Sequence, residues 1–192
     1  MATFLKSLLA AAIGVVLGLT ATWLAVERGY GFGAVNSGPW TGWPKTGSDS
    51  ADPYARAVLA RTGEVPLGLA EGLSFTARTD GTGAKLDPHC DYVITGPIPP
   101  ARYWTLTPLT PRGLLIDNSA GRTGMTSAEI VRAMDGTFAV TISRQARAGN
   151  WLPLGNAPEF ILMLRLYDTP LSSASSSIGT TPMPLLRKER CA

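Results

Sequence analysis

The sequence predicts a mainly β protein: an antiparallel β-sandwich or jelly-roll-like domain with one short helix, preceded by one N-terminal transmembrane helix. Three observations carry this. There are 21 glycines and 15 prolines in 192 residues, roughly a fifth of the chain against a usual share of about 12%, which favours turn-rich β structure over a helical bundle. Short runs alternate apolar and polar residues with period two between turn residues. An uncharged apolar run stands near the start of the chain. Apolar residues are 45% and charged residues 16%, so the chain is neither disordered nor a solvated coil. The formal net charge of +3 is small and scattered, which argues against a nucleic-acid partner.

Residues 8–26, LLAAAIGVVLGLTATWLAV, are 19 residues without a charge. As a helix they reach roughly 28 Å, close to the hydrocarbon thickness of a bilayer. Lys6 precedes the run, Glu27 and Arg28 follow it, and Trp23 lies near its far end, where an indole suits the interface. A cleaved signal peptide is the competing reading, but it wants an apolar stretch of about 7–15 residues and an A-x-A-like site. Here the run is longer and its small residues are poorly spaced. Residues 1–28 are therefore read as an uncleaved anchor. Lys6 favours a cytoplasmic N-terminus. Gly14 and Gly18, extended by Ala10 and Thr22, form a face of small residues that lets two helices approach, so the anchor either forms a homo-oligomer there or simply anchors. There are two cysteines, Cys90 and Cys191, and no C-x-x-C pair. In an exported domain they predict a disulfide, with two buried thiols as the alternative. The expected placement is the inner membrane, single-pass, with the C-terminal domain in the periplasm.

Residues 29–51 read as a connector rich in Gly, Ser and Trp. Trp40 and Trp43 flank a turn in it; they either dock on the domain as plugs or form a ligand platform or membrane-surface belt. The β-sandwich is expected over residues 52–171. Asp52-Pro53 opens its helix as N-cap and first helical residue, and Gly63 stops it. Tyr54, Val58 and Arg61 share one face, with Ala55 and Leu59 beside them; Arg56 and Arg61 are expected in solvent. Leu73, Phe75 and Ala77 then alternate with Ser74, Thr76 and Arg78 before the turn Asp80-Gly81-Thr82-Gly83. Cys90, Tyr92 and Ile94 alternate with Asp91, Val93 and Thr95. Shorter strands follow at 103–106 and 114–116. Residues 130–142 read as a hairpin with Asp135-Gly136 at its turn. In the run 159–167 the centre is apolar on both faces, as in a central strand. Residues 172–192 are expected to be a tail, with SSASSS at 172–177 as a flexible link and Arg187, Lys188 and Arg190 as a solvated basic cluster.

Recognisable chemistry is sparse. The single histidine, His89, lies in Asp87-Pro88-His89-Cys90, too few donors for a structural zinc site. There is no G-x-S-x-G elbow, no Gly-Lys pair for a Walker loop and no G-x-G-x-x-G after a strand. No metal or cofactor is expected. Asp91 and Asp168 could act as acid and base if the fold brought them together. The segment 143–153 is the most distinctive: Arg147 could hold a carboxylate or sulfate in a fork, and Trp151 could stack on a ligand. The alternative is that Trp151 caps the core and Asn150 bonds loop backbone. With Tyr103, Arg165 and Asp168, the residues Arg147, Asn150 and Trp151 form the candidate ligand-binding set. Arg165 lies inside a strand, where it either meets a buried carboxylate or faces solvent.

Asn150-Trp151-Leu152-Pro153 followed by Phe160-Ile161-Leu162-Met163-Leu164-Arg165-Leu166-Tyr167 resembles the domain-of-unknown-function 1214 family. Cys90-Asp91-Tyr92 before Gly96-Pro97, Tyr103-Trp104-Thr105-Leu106, and Glu129-Ile130 ahead of the Asp-Gly turn fit the same pattern, so the resemblance covers roughly residues 65–170. It implies a jelly-roll type of sandwich. It also implies a companion protein of the domain-of-unknown-function 1254 family, which this chain does not contain. It brings no catalytic residues. Two functions are expected from these readings together. One is a membrane-anchored periplasmic protein binding a partner protein or an envelope glycan or lipid. The other is an accessory or catalytic subunit of an envelope enzyme acting on carbohydrate-like substrates, completed by the companion domain.

Overall fold

Alternating apolar side chains need a second layer to cover them, and this chain builds two sheets to supply it. The computed structural model describes residues 2–28, 33–172 and 175–191. Helix α1 (Ala2–Arg28) leads to β1 (Val35–Ser37), β2 (Trp40–Gly42), helix α2 (Pro53–Thr62), β3 (Gly72–Ala77), β4 (Cys90–Thr95), β5 (Tyr103–Leu109), β6 (Met125–Thr126), β7 (Ala139–Ser143), β8 (Asn150–Pro153), β9 (Ile161–Tyr167) and β10 (Leu185–Cys191). One sheet has the order β1-β2-β3-β9-β5-β6 and the other β10-β4-β7-β8. Strands pair antiparallel except β7 with β8, which are parallel, so the second sheet is mixed.

The main core lies between the sheets. Phe75, Leu106, Leu162, Leu164 and Leu166 from the first meet Tyr92, Ile94, Val140, Ile142 and Leu152 from the second. Strand β9 is central, between β3 and β5, and its other face is also apolar: Ile161 and Met163 join Leu109 in a second buried cluster. The turn after β3 forms as expected, with Asp80 accepting from the backbone of Thr82 and Ala84 and from the Thr82 hydroxyl.

Helix α1 is long and apolar enough over Thr3–Val26 to cross a membrane, and its most apolar window is not covered by the rest of the protein. Leu8, Leu9, Val16 and Leu17 are all more than half exposed. Only its C-terminal end, at Ala25 and Val26, becomes half-buried, where α1 meets α2. Gly14 and Gly18 face open space.

Four sequence expectations change. The predicted connector contains β1 and β2, and Trp40 is fully buried in the core with its indole N–H donating to Pro184 O at 2.7 Å. The predicted tail contains β10, which pairs along β4 with Leu186 buried and Arg187, Lys188 and Arg190 outward. The sandwich therefore begins before residue 52 and continues past 171, because β3 and β4 each need a partner strand on an otherwise open edge. Residues 173 and 174 of the predicted link, and 29–32 of the predicted connector, lie outside the described residues.

The 130–142 hairpin is only half a hairpin. Its turn is present, with the Gly136 N–H donating to Ala133 O and Asp135 accepting from Thr137. Its first arm is not a strand, because the Asn150 side chain takes both the N–H and the carbonyl of Val131. The 114–116 strand reduces to one bridge, Leu109 with Leu115.

Cys90 and Cys191 form a disulfide that fastens the end of β10 to the start of β4. It closes a separation of 101 residues, worth about 4.7 kcal/mol on the chain-entropy model. Cys191→Ser is expected to cost about 2–4 kcal/mol, read from chemical denaturation. The wild type in reductant should fall to the variant's stability, and the variant should not respond to reductant.

Candidate functional site

Helix α2 is fixed by its ends. Asp52 accepts from the N–H groups of Tyr54 and Ala55, Pro53 occupies the first helical position, and Gly63 takes φ +68° with its N–H on Leu59 O. The Arg56 guanidinium, expected in solvent, bonds the carbonyls of Asp49 and Ala51 and so ties the helix to the loop before it.

The helix lies over the outer face of the six-stranded sheet, and a cavity of about 110 Å³ remains between them. Ala55, Val58 and Leu59 form its α2 wall. Ser74, Thr76, Ile161 and Met163 of β3 and β9 form the floor. Trp43 and Thr46, just after β2, and Glu64, Pro66 and Leu67, just after α2, close the sides. The two side segments touch at Gly47, where a Cβ would stand 1.8 Å from the Leu67 carbonyl oxygen. Only a residue without a side chain allows this approach.

Three of the lining residues also carry a polar atom that is buried away from the cavity without a hydrogen-bond partner: Trp43 Nε1, Thr46 Oγ1 and Ser74 Oγ. Leaving a buried donor or acceptor unpaired costs about 1–3 kcal/mol. One carboxylate and two guanidiniums stand at the site. The Glu64 carboxylate faces Arg165 at 3.6 Å, with both side chains about three-quarters buried, and it also acts on Arg78 at the cavity's edge.

The sequence-predicted residues are divided between the two sheets. Tyr103 and Arg165 share the outer face of the six-stranded sheet with the cavity floor, the Tyr103 ring lying 5.9 Å from that of Tyr167. Asp168 follows β9 and pairs with Arg102 in solvent. Arg147, Asn150 and Trp151 belong to the four-stranded sheet and its loop, and each has a structural partner. The Arg147 guanidinium donates to Asp91 at 2.6 and 3.0 Å, Asn150 bonds Val131 and Ala139 backbone, and the Trp151 indole donates to Ser143 O. Asp91 and Asp168 thus sit on different sheets, each with arginine. His89 is exposed beside Asp87. Among the described residues no three His, Cys, Asp or Glu side chains gather as metal donors.

The cavity residues Thr46, Ser74, Glu64 and those of α2 are not in the candidate ligand-binding set drawn from the sequence. The available signal was the second apolar face of β9, which requires a cover, together with the amphipathic α2 able to provide it.

Asp91 organises the other end of the molecule. Its side chain is 13% exposed and also accepts from Arg190 at 2.9 Å. Burial pushes its carboxyl up, but hydrogen bonds from Ser143, Arg190 and Arg147, with the charge of Arg147, more than reverse this, and its pKa lies below the ordinary carboxylate value.

A family model described as "Protein of unknown function (DUF1214)" matches residues 71–171. The chain is similar in fold to the crystal structure of the VPA0106 protein from Vibrio parahaemolyticus, with TM-score 0.57 and 22% identity over 73% of this chain and 36% of that one. An uncharacterized protein from Burkholderia cenocepacia matches with TM-score 0.37 and 19% identity, over 76% of this chain and 44% of that one. The chain therefore spans about a third of the length of the first and under half of the second. No curated protein matches it. The cavity floor lies inside the family-matched residues, and Trp43, Thr46, α2 and residues 64–67 lie before them.

Ser74→Ala removes a buried hydroxyl that has no partner, so it is expected to raise stability by about 1 kcal/mol, measured in urea. For Asp91→Asn, a loss of about 1–3 kcal/mol is expected at neutral pH. The folded carboxyl titrates below its unfolded value of about 3.9. Its stabilisation is therefore full above that value and is lost as pH falls through the depressed one. Urea melts of the two proteins between pH 7 and pH 2 should differ by a constant amount down to about pH 4 and converge below it.

Proposed function

The chain belongs to the DUF1214 family, proteins of unknown function, and from that premise we propose that it is a membrane-anchored binding module whose ligand site is the cavity beneath α2. In this reading α1 holds the chain in the inner membrane and the sandwich stands in the periplasm. The lipid-compatible surface of α1 supports the first part. The disulfide supports an oxidising compartment. In this reading the contact of α1's C-terminal end with α2 would set the cavity close to the membrane surface.

The observation that carries the binding reading is the cavity wall itself: apolar over most of its area, with Glu64 and Arg78 among its lining residues. Such a mixture is the usual make-up of a small-ligand site, where apolar walls supply affinity and a few polar groups fix orientation. Its carboxylate, Glu64, is already paired with Arg165. The predominantly apolar wall favours a lipid-like envelope compound over a glycan, whose hydroxyls would need many more partners.

One observation favours a second reading. The chain covers only 36% of the Vibrio chain whose fold it shares. A subunit of an envelope enzyme, completed by a companion protein of the domain-of-unknown-function 1254 family, would account for that difference in length.

The test compares the full chain with Val58→Phe, which fills the cavity from the α2 wall. Both are extracted from membranes under identical conditions, and bound small molecules are identified by mass spectrometry. A lipid-like compound is expected with the wild type and at least fivefold less of it with the variant. Equal small-molecule profiles from both proteins would remove the binding reading. Consumption of the bound compound on adding the companion protein would replace it with the enzyme reading.

A further inference from the structure

Two guanidiniums and one carboxylate frame the cavity, so one guanidinium is left over. Strand alternation explains where it stands. Ser74 and Thr76 of β3 belong to the floor, and Arg78, two residues further on, lies on the same face of the sheet. Pairing sets Ser74 opposite Arg165 and Thr76 opposite Met163, so Arg78 continues the row to the level of Ile161. The two cations thus rise from points on the sheet about 13 Å apart, four residues along a strand. Glu64 is paired with the first of them, Arg165, at 3.6 Å. It acts on Arg78 through its charge, from beyond ion-pair distance. Among the described residues the Arg78 guanidinium has no ion-pair or hydrogen-bond partner.

Arg78 stands at the cavity's rim. The residue keeps contact with solvent, yet burial pushes its pKa below the ordinary arginine value, with the charge of Glu64 acting the other way. An arginine stays ionised nonetheless. A guanidinium that has lost part of its water and gained no counter-ion stabilises an anion placed beside it. Its planar fork suits a carboxylate. Behind it the wall is apolar, with Val58 and Leu59 on the helix, Ile161 and Met163 on the sheet and Leu67 at the side. The space measures about 110 Å³, somewhat less than a cavity of about 150 Å³ that takes up benzene. It has room for one short apolar body and not for the two acyl chains of a phospholipid. A cationic guest would meet two like charges and a carboxylate already paired. A neutral guest would leave Arg78 without a counter-ion.

We propose that the cavity binds a monocarboxylate amphiphile, with its carboxylate in the fork of Arg78 and an apolar body of about four to six carbons between α2 and β9. This rests on the reading of the cavity as a ligand site and names the class of compound it takes. The guest's single negative charge answers the one positive charge left over at the site. Arg78 fixes the head at the rim, and Val58, Leu59 and Met163 hold the body.

The test uses the full chain in an uncharged maltoside detergent at neutral pH, with three probes of one length: hexanoate, 1-hexanol and hexylammonium. The readout is the nuclear magnetic resonance signal of the Met163 methyl group, assigned by its disappearance in Met163→Leu. Hexanoate is expected to move this signal in a saturable way, and to do so no longer in Val58→Phe. 1-Hexanol is expected to bind about tenfold more weakly, the worth of a charge-assisted hydrogen bond at a partly exposed site. Hexylammonium is expected not to compete. Arg78→Gln should weaken hexanoate about tenfold and leave 1-hexanol unchanged, the unchanged alcohol showing that the variant still folds around the cavity. Arg78→Lys, which keeps the charge and loses the fork, should fall between the two. Phosphatidylglycerol, with one negative charge on two acyl chains, is expected not to displace hexanoate, and displacement by it would overturn the assignment to a single-chain acid. A Met163 signal insensitive to hexanoate, equal binding of hexanoate and 1-hexanol, competition by hexylammonium, or hexanoate binding untouched by Arg78→Gln would each overturn the proposal. If the membrane extract still distinguishes the wild type from Val58→Phe, only the ligand class falls; if it does not, the site falls with it.

Discussion

Strand β9 has no face that water can wet without cost. Leu162, Leu164 and Leu166 point into the sandwich, and Ile161 and Met163 point away from it into a second buried cluster. Burying such side chains is worth about 1.5–3 kcal/mol each, so a cover on the outer face is as necessary as the second sheet on the inner one. Helix α2 and the segments on either side of it provide that cover. Polar residues of the outer face are then buried as well. Arg165 meets Glu64. Ser74 meets nothing, and its unpaired hydroxyl costs about 1–3 kcal/mol. The apolar gain exceeds that penalty, so the cover stays on although the fit beneath it is incomplete. The cavity is the result of roofing a mixed surface.

The roof depends on how the flanking segments of the chain are joined to the sandwich. Strand β2 adds to β3, and Trp40 at its start is locked into the core and onto Pro184. Trp43 leaves the sheet only three residues later, so its indole is positioned by a strand pairing rather than by a free loop. Pro184 in turn precedes β10, which is held to β4 by backbone pairing, the disulfide and the Asp91–Arg190 contact. Ser37 adds a hydrogen bond to Thr181. The segments before and after the family-matched residues thus brace one another, and the cavity lies at one end of that brace.

Family membership speaks for one side of the site. Residues 71–171 supply β3 and β9, hence the floor, and they contain the core that gives the shared fold. The indole, the Thr46 hydroxyl, α2 and Glu64 come from earlier in the chain. The polar residues of the wall thus come from both sides of that boundary, since Ser74, Thr76 and Arg78 lie inside the matched region.

What the sequence determined by itself was local. Helix α2 was legible with both ends, because its caps are hydrogen bonds within four residues. The centrality of β9 was legible because an apolar run on both faces has few other uses. With only two cysteines in the chain, a disulfide had a single possible partner set. Strands β1, β2 and β10 were not legible. They are short or charged, and an edge strand is made by a neighbour's open backbone rather than by its own side chains. Nor could residue type show that Arg147 answers Asp91 across 56 positions, or that Asn150 serves the backbone of Val131. A polar side chain looks the same whether its partner is a ligand or a distant part of the chain. Only the tertiary structure decided which polar groups were satisfied and which were left over, because hydrogen bonds between remote residues depend on where the fold sets them.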